Sequence, residues 1–199
     1  MKFSAVNILI AANVAVFVLQ RLSNGAMEDL FALWPLQASL DEPSFHVWQI
    51  ITYSFLHDTR NISHLLFNMF GLWMFGTGIE RYAGPRRLLA CYFASVITAA
   101  LTQLFVPLLF GAPPGFTIGA SGGVFGLILA YAVMFPKSKV AVYFLIPMPT
   151  WLFATLYAAI ELFQGVTGSQ SGVAHFAHLG GMVGSALVLA QWRLKARTR

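Results

Sequence analysis

The sequence predicts an all-α, polytopic membrane protein: a single bundle of six transmembrane helices. Three observations carry that expectation. Of the 199 residues, 58% are hydrophobic and only 10% are charged, whereas a soluble domain carries charge on nearer a quarter of its residues. Mean hydropathy is +0.71. Apolar runs about one bilayer long recur along the chain, with short Arg and Lys clusters between them. That spacing makes the net charge of +5 a sign of membrane topology, and no nucleic-acid partner is expected. Cys91 is the only cysteine and lies in an apolar run, so no internal disulfide forms and metal–thiolate chemistry is not expected.

The first span is predicted at residues 3–20, charge-free and long enough to cross at about 1.5 Å per residue. Lys2 before it imitates a signal peptide, but no small-x-small cleavage site follows, so an uncleaved helix is expected. Residues 21–60 mix Glu28, Asp29, Asp41 and Glu42 with Phe31, Trp34, Trp48 and Tyr53. This segment is too polar to span, and its Trp and Tyr content predicts a folded loop sunk into the outer leaflet. The second span is 61–79, closed by Glu80-Arg81 and a Gly84-Pro85 turn. Residues 88–136 hold no charge and exceed one pass; Pro107 and the stretch Gly111-Ala112-Pro113-Pro114-Gly115 divide them into spans at 88–108 and 117–135. Pro147 and Pro149 suit a helix start, placing the fifth span at 149–164. Gly165 to Gly172 reads as loop, and the sixth span is 173–192.

Six passes put both termini on one side. With that side inside, Lys2, Arg81, Arg86, Arg87, Lys137, Lys139, Arg193, Lys195, Arg197 and Arg199 are cytoplasmic, and only Arg21 and Arg60 are outside. This is a strong positive-inside bias, and it predicts a cell (inner) membrane protein with cytoplasmic termini.

The second, fourth and sixth spans all enter from outside. His64, Ser121 and His178 lie within about the first turn or two of each, so they share one outer layer. Polar and ionisable groups there should face a bundle interior or wet cavity. Gly122, Gly126 and Ala130 in the fourth span, and Gly180, Gly181, Gly184 and Ser185 in the sixth, form small-residue faces that let backbones approach closely. His178, Gly181 and Ser185 share a stripe, which brings His178 towards Ser121. Asn68 lies one turn below His64 on the same face.

This constellation has a chemistry. A serine hydroxyl becomes a nucleophile when a neutral imidazole takes its proton. Attack on a carbonyl makes an oxyanion, which the Ser121 N–H at a helix N-terminus would stabilise, with His64 and Asn68 as further donors.

The motifs Gly119-Ala120-Ser121-Gly122, His64-Leu65-Leu66-Phe67-Asn68 and Ala177-His178-Leu179-Gly180-Gly181 resemble those of the rhomboid family of intramembrane serine proteases, in its six-helix bacterial-type form. The resemblance covers almost the whole chain. It implies Ser121 as nucleophile and His178 as general base, a dyad without an acidic third member, and an oxyanion hole of His64, Asn68 and the Ser121 N–H. It makes Phe125, where the family often has Tyr, the ring that stacks on the histidine, with Gly119 and Gly181 in support. It matches Glu80 to a buried polar anchor. It sets Gln49, after Trp48, where a charged tether is usual. It implies transmembrane protein substrates entering sideways from the lipid bilayer near Phe67 and Trp151, and it requires no cofactor and no metal.

Other readings remain beside this one. A glycine-flanked serine alone is ordinarily a packing residue. Gly119-x-Ser121-x-Gly123 also fits a nucleophile elbow, but no strand precedes it. His175 and His178 with His57 and His64 could hold a metal or haem, though no His-Glu-x-x-His is present. His175 reads as a loop-edge residue. Glu161 reads as an outer-end polar residue of the fifth helix in preference to a group orienting His178. Glu80 with Arg81 could be a simple interfacial ion pair. A non-enzymatic membrane protein of the same fold, escorting membrane clients, would not need Ser121 and His178 together.

Overall fold

The computed structural model describes residues 4–36, 43–110, 115–142, 146–167 and 174–197. The chain is a helical membrane bundle. α1 (Ala5–Leu22), α4 (Ile62–Ala83), α5 (Pro85–Phe110), α6 (Ser121–Met134), α7 (Thr150–Thr167) and α8 (His175–Arg197) are its long elements. The short helices α2 (Ala26–Phe31) and α3 (Gln49–Thr52), with a 3-10 turn at Tyr53–Phe55, fold the segment between α1 and α4. Among the described residues, Ala5–Leu22, Ile62–Ala83 and Pro85–Val106 are long and apolar enough to cross a membrane. Ser121–Met134 is a shorter apolar helix.

α6 is the hub. It is apolar all round and packs against α4, α5, α7 and α8, burying Val124, Phe125, Leu127, Ile128 and Ala130. Its closest neighbour is α8. A Cβ on Gly181 would collide with the Gly122 carbonyl, so only glycine allows this approach. The hydroxyls of Ser95 and Ser185, 3.0 Å apart, join α5 to α8 beside it.

Glu80 is an anchor. Its carboxylate accepts hydrogen bonds from the Ser4 hydroxyl at 2.6 Å and from the N–H groups of Ala5 and Val6 at 2.7 and 3.2 Å. It thereby serves the unpaired donors and positive dipole end of α1. The alternative ion pair with Arg81 does not occur among the described residues. Arg87 over the Trp192 ring, at 5.2 Å, and the Tyr82–Phe135 contact, at 5.1 Å, bring the start of α5, the ends of α4, α6 and α8 to one end of the bundle. Arg81, Arg86, Arg193 and Lys195 lie in the same helix ends.

Several boundaries differ from expectation. The fourth helix starts at Ser121, not 117. Thr117 bridges Leu33, and the Gly119 N–H donates to the Tyr53 carbonyl at 3.0 Å, so these residues are held extended. The third runs Pro85–Phe110, past Pro107; Pro85 needs no N–H at a first helical position. Pro147 and Pro149 lie in a strand: β1 (Lys139–Val142) pairs antiparallel with β2 (Ile146–Pro149), Lys139 opposite Pro149. A two-stranded hairpin has only edge strands, where proline is tolerated. α7 therefore starts at Thr150 and continues through Gly165 to Thr167. The predicted breaks at 111–114 and the rest of the loop at 168–172 lie outside the described residues, as does the predicted first residue, 173, of the sixth span.

Candidate active site

The site forms where the starts of α4, α6 and α8 meet. Ser121 is the first residue of α6, so its N–H has no intrahelical partner. Gly119 just before it has φ +125°, a conformation L side chains rarely adopt. A Cβ there would also stand 2.9 Å from His64 Nε2 and 3.8 Å from Ser121 Oγ. The imidazole and the hydroxyl thus flank one spot that only glycine leaves open.

Ser121 Oγ lies 2.8 Å from His178 Nε2. The His178 ring is stacked on Phe125, centroids 4.3 Å apart and planes 4° apart. Tyr157 of α7 packs on Phe125 at 5.6 Å and on Phe153 at 4.7 Å. The His178 orientation therefore rests on a run of rings that crosses from α8 to α7.

His64 is oriented from its far side. Its Nδ1 accepts the Asp58 N–H at 3.2 Å. A neutral imidazole has one donor nitrogen, so the proton sits on Nε2, which faces the serine mouth. The Asn68 amide is buried and donates to the His64 carbonyl at 2.9 Å, one turn down α4. His57 packs beside His64 at 5.1 Å between ring centroids. Its N–H donates to Gln20 Oε1 at 2.9 Å and its Nδ1–H to the Phe55 carbonyl at 3.3 Å. Burial, reinforced by His64, pushes the His57 imidazole down to about 4, against the raising effect of the Phe55 carbonyl.

Glu161 is the main correction. It lies in the later half of α7, but it is buried and partnered: its Oε2 lies 2.7 Å from His175 Nδ1 and 3.0 Å from His178 Nδ1. His175, the first residue of α8, stands at the loop edge as expected; it is buried there with Glu161 as its polar partner. Phe153, Tyr157 and Glu161 recur every four residues and face the site together, a stripe readable from spacing. An acid within an apolar helix is a signal to look for its partner. Among the described residues, Glu161, His175 and His178 also form the one His/Cys/Asp/Glu cluster compact enough to consider for a metal; His57 and His64 are not in it.

Gln49 replaces a charged tether with neutral bonds. Buried, it accepts from the Trp34 and His46 N–H groups at 3.3 and 3.1 Å and donates to the Leu30 carbonyl at 3.3 Å. Trp48 donates to the same carbonyl at 2.9 Å. Phe67 and Trp151 are exposed, at 75% and 52%, on α4 and α7.

Fold and site together define a class: a helical membrane protein with a serine–histidine pair set among the mouths of three helices. The chain belongs to the rhomboid family, matching the model of the rhomboid domain over residues 44–193. It is similar to RHOMBOID-like protein 12, mitochondrial, of Arabidopsis thaliana, at 30% identity over 96% of this chain and 59% of the relative. It is 31% identical to Rhomboid protein 1, mitochondrial, of Saccharomyces cerevisiae, over 66% of this chain and 38% of the relative. It is 28% identical to Rhomboid protease GluP of Bacillus subtilis, over 92% of this chain and 34% of the relative. The chain spans less than two thirds of the length of each.

Proposed function

We propose that this chain is an intramembrane serine endopeptidase that hydrolyses peptide bonds in or near transmembrane segments of membrane protein substrates. The supporting observation is the 2.8 Å contact between Ser121 Oγ and His178 Nε2. Membership of a family that includes a protein named rhomboid protease points the same way.

In this reading His178 Nε2 takes the Ser121 proton as Oγ attacks the scissile carbonyl. The oxyanion forms against the Ser121 N–H, His64 Nε2–H and the Asn68 amide, which must turn from the His64 carbonyl. His178 returns the proton to the leaving amine, and the C–N bond breaks. Water, deprotonated by the same nitrogen, then hydrolyses the acyl-enzyme and restores Ser121. No cofactor enters these steps. Substrates pass from the bilayer between the helices bearing Phe67 and Trp151. The domain crosses a cell (inner) membrane six times with both termini cytoplasmic, so a cysteine placed at Arg197 is modified from the cytoplasmic side; modification only from the other side overturns that orientation.

The test of the activity is a fluorophosphonate probe on detergent-solubilised protein. Wild type is labelled and Ser121→Ala is not, while His178→Ala loses at least about 10³-fold in labelling rate. Equal labelling of wild type and Ser121→Ala ends the proposal.

A further inference from the structure

We infer that Glu161 is a positioning residue for His178, making the site a three-membered Ser121–His178–Glu161 relay; this rests on the proposed protease reading. For His178 Nε2 to accept the Ser121 proton at 2.8 Å, its lone pair must face Oγ, and the single proton of the neutral ring must sit on Nδ1. That nitrogen is buried and makes no aligned hydrogen bond. Glu161 Oε2 lies 3.0 Å from it. A carboxylate has only acceptors, so it selects the Nδ1–H tautomer that the chemistry requires. When the ring gains its second proton, the same oxygen faces the new positive charge in a site shielded from water. Hydrogen bonds of this kind are often misaligned before substrate binds and tighten afterwards.

The surroundings hold Glu161 to this task. His175 Nδ1 donates to the same Oε2 at 2.7 Å and fixes the carboxylate from the helix turn before His178. The 2.7 Å contact to His175 is a hydrogen bond, and the 3.0 Å approach to His178 Nδ1 needs only a small realignment to become one. Phe125 covers one face of the His178 ring, whose two nitrogens face Ser121 and Glu161 at once.

The inference is tested on full-length protein in detergent with a transmembrane peptide substrate and the fluorophosphonate probe. Glu161→Gln keeps the shape but removes the charge. It lowers kcat and labelling rate about 10²-fold with KM unchanged, and Glu161→Asp recovers most of the loss. In a His178→Ala background Glu161→Gln has no further effect, because the residues act as a unit. A loss of the same factor in both backgrounds, or Glu161→Gln within about threefold of wild type, overturns the inference. A second measurement needs no variant at position 161. In protein carrying 15N-histidine, with the His178 signals assigned against His178→Ala, the unprotonated ring nitrogen at neutral pH is Nε2. Finding it at Nδ1 overturns the inference. If wild type shows no Ser121-dependent labelling, the protease reading fails; if it does and Glu161→Gln matches it, only the relay fails.

Discussion

Phe125 lies flat on His178, one turn of α6 below Ser121, with ring planes 4° apart and centroids separated by 4.3 Å. The contact places an apolar wall on one face of the imidazole and leaves its edge to Ser121 and Glu161. Ring pairs of this kind are worth about 0.5–1.5 kcal/mol beyond the area they bury. Phe125→Leu keeps the bulk and loses the stack, so kcat should fall about 2–10-fold with KM unchanged. Phe125→Tyr, which restores a ring, should stay within about twofold of wild type. A steady-state comparison on one peptide substrate checks both.

His64 and Asn68 make a sharper prediction. If they face the oxyanion, His64→Ala and Asn68→Ala should each reduce kcat about 10²–10³-fold while the thermal melt moves little. Ser121 labelling by a small phosphonate should fall in parallel. A drop confined to KM would assign these residues to substrate binding instead.

Gly181 tests the packing that brings the pair together. Its Cβ position overlaps the Gly122 carbonyl, so Gly181→Ala must push α8 away from α6. Overpacking of this kind costs about 1–3 kcal/mol. The melting temperature in detergent should fall, and the labelling rate with it. Gly115, exposed and with no atom within 4 Å of its Cβ position, is the control: Gly115→Ala should stay within about 0.5 kcal/mol of wild type.

His57 predicts an acid-labile fold. Its folded-state value of about 4 lies below the ordinary 6.5, mainly because burial opposes the charged ring. As pH falls the unfolded chain takes up this proton first, so stability is complete above 6.5 and is lost progressively down to about 4. At about 1.4 kcal/mol per pH unit the loss approaches about 3 kcal/mol. Melting temperatures across that window should show it, and His57→Gln should flatten that part of the curve. A wild-type curve already flat between those values would remove His57 from the account.

Much of this protein was legible in the chain alone. Helical membrane architecture followed from apolar runs of bilayer length, because a backbone in hydrocarbon must satisfy its hydrogen bonds within a helix. Ser121, His178 and His64 were identifiable because helical periodicity and shared entry side reduce their meeting to one dimension, depth, whereas Phe125 was implied only by the family resemblance. The pairing of Lys139–Val142 with Ile146–Pro149 was missed. The prolines there favour a helix start by local chemistry, and only pairing of β1 with β2 shows that they sit on an open edge. The early start predicted for α6 failed likewise, since contacts from Leu33 and Tyr53, far earlier in sequence, hold residues 117–119 extended.

Composition and periodicity thus settled that the chain is a helical membrane bundle and which residue types line its outer mouths. Depth along a helix is set by counting residues. The angle each helix presents to its neighbours is set by side-chain packing across several helices at once, and counting does not supply it. For that reason the sequence could offer an anchor role for Glu80 and a choice of roles for Glu161, while their partners, the first N–H groups of α1 and the rings of His175 and His178, are set by how α4 packs against α1 and α7 against α8.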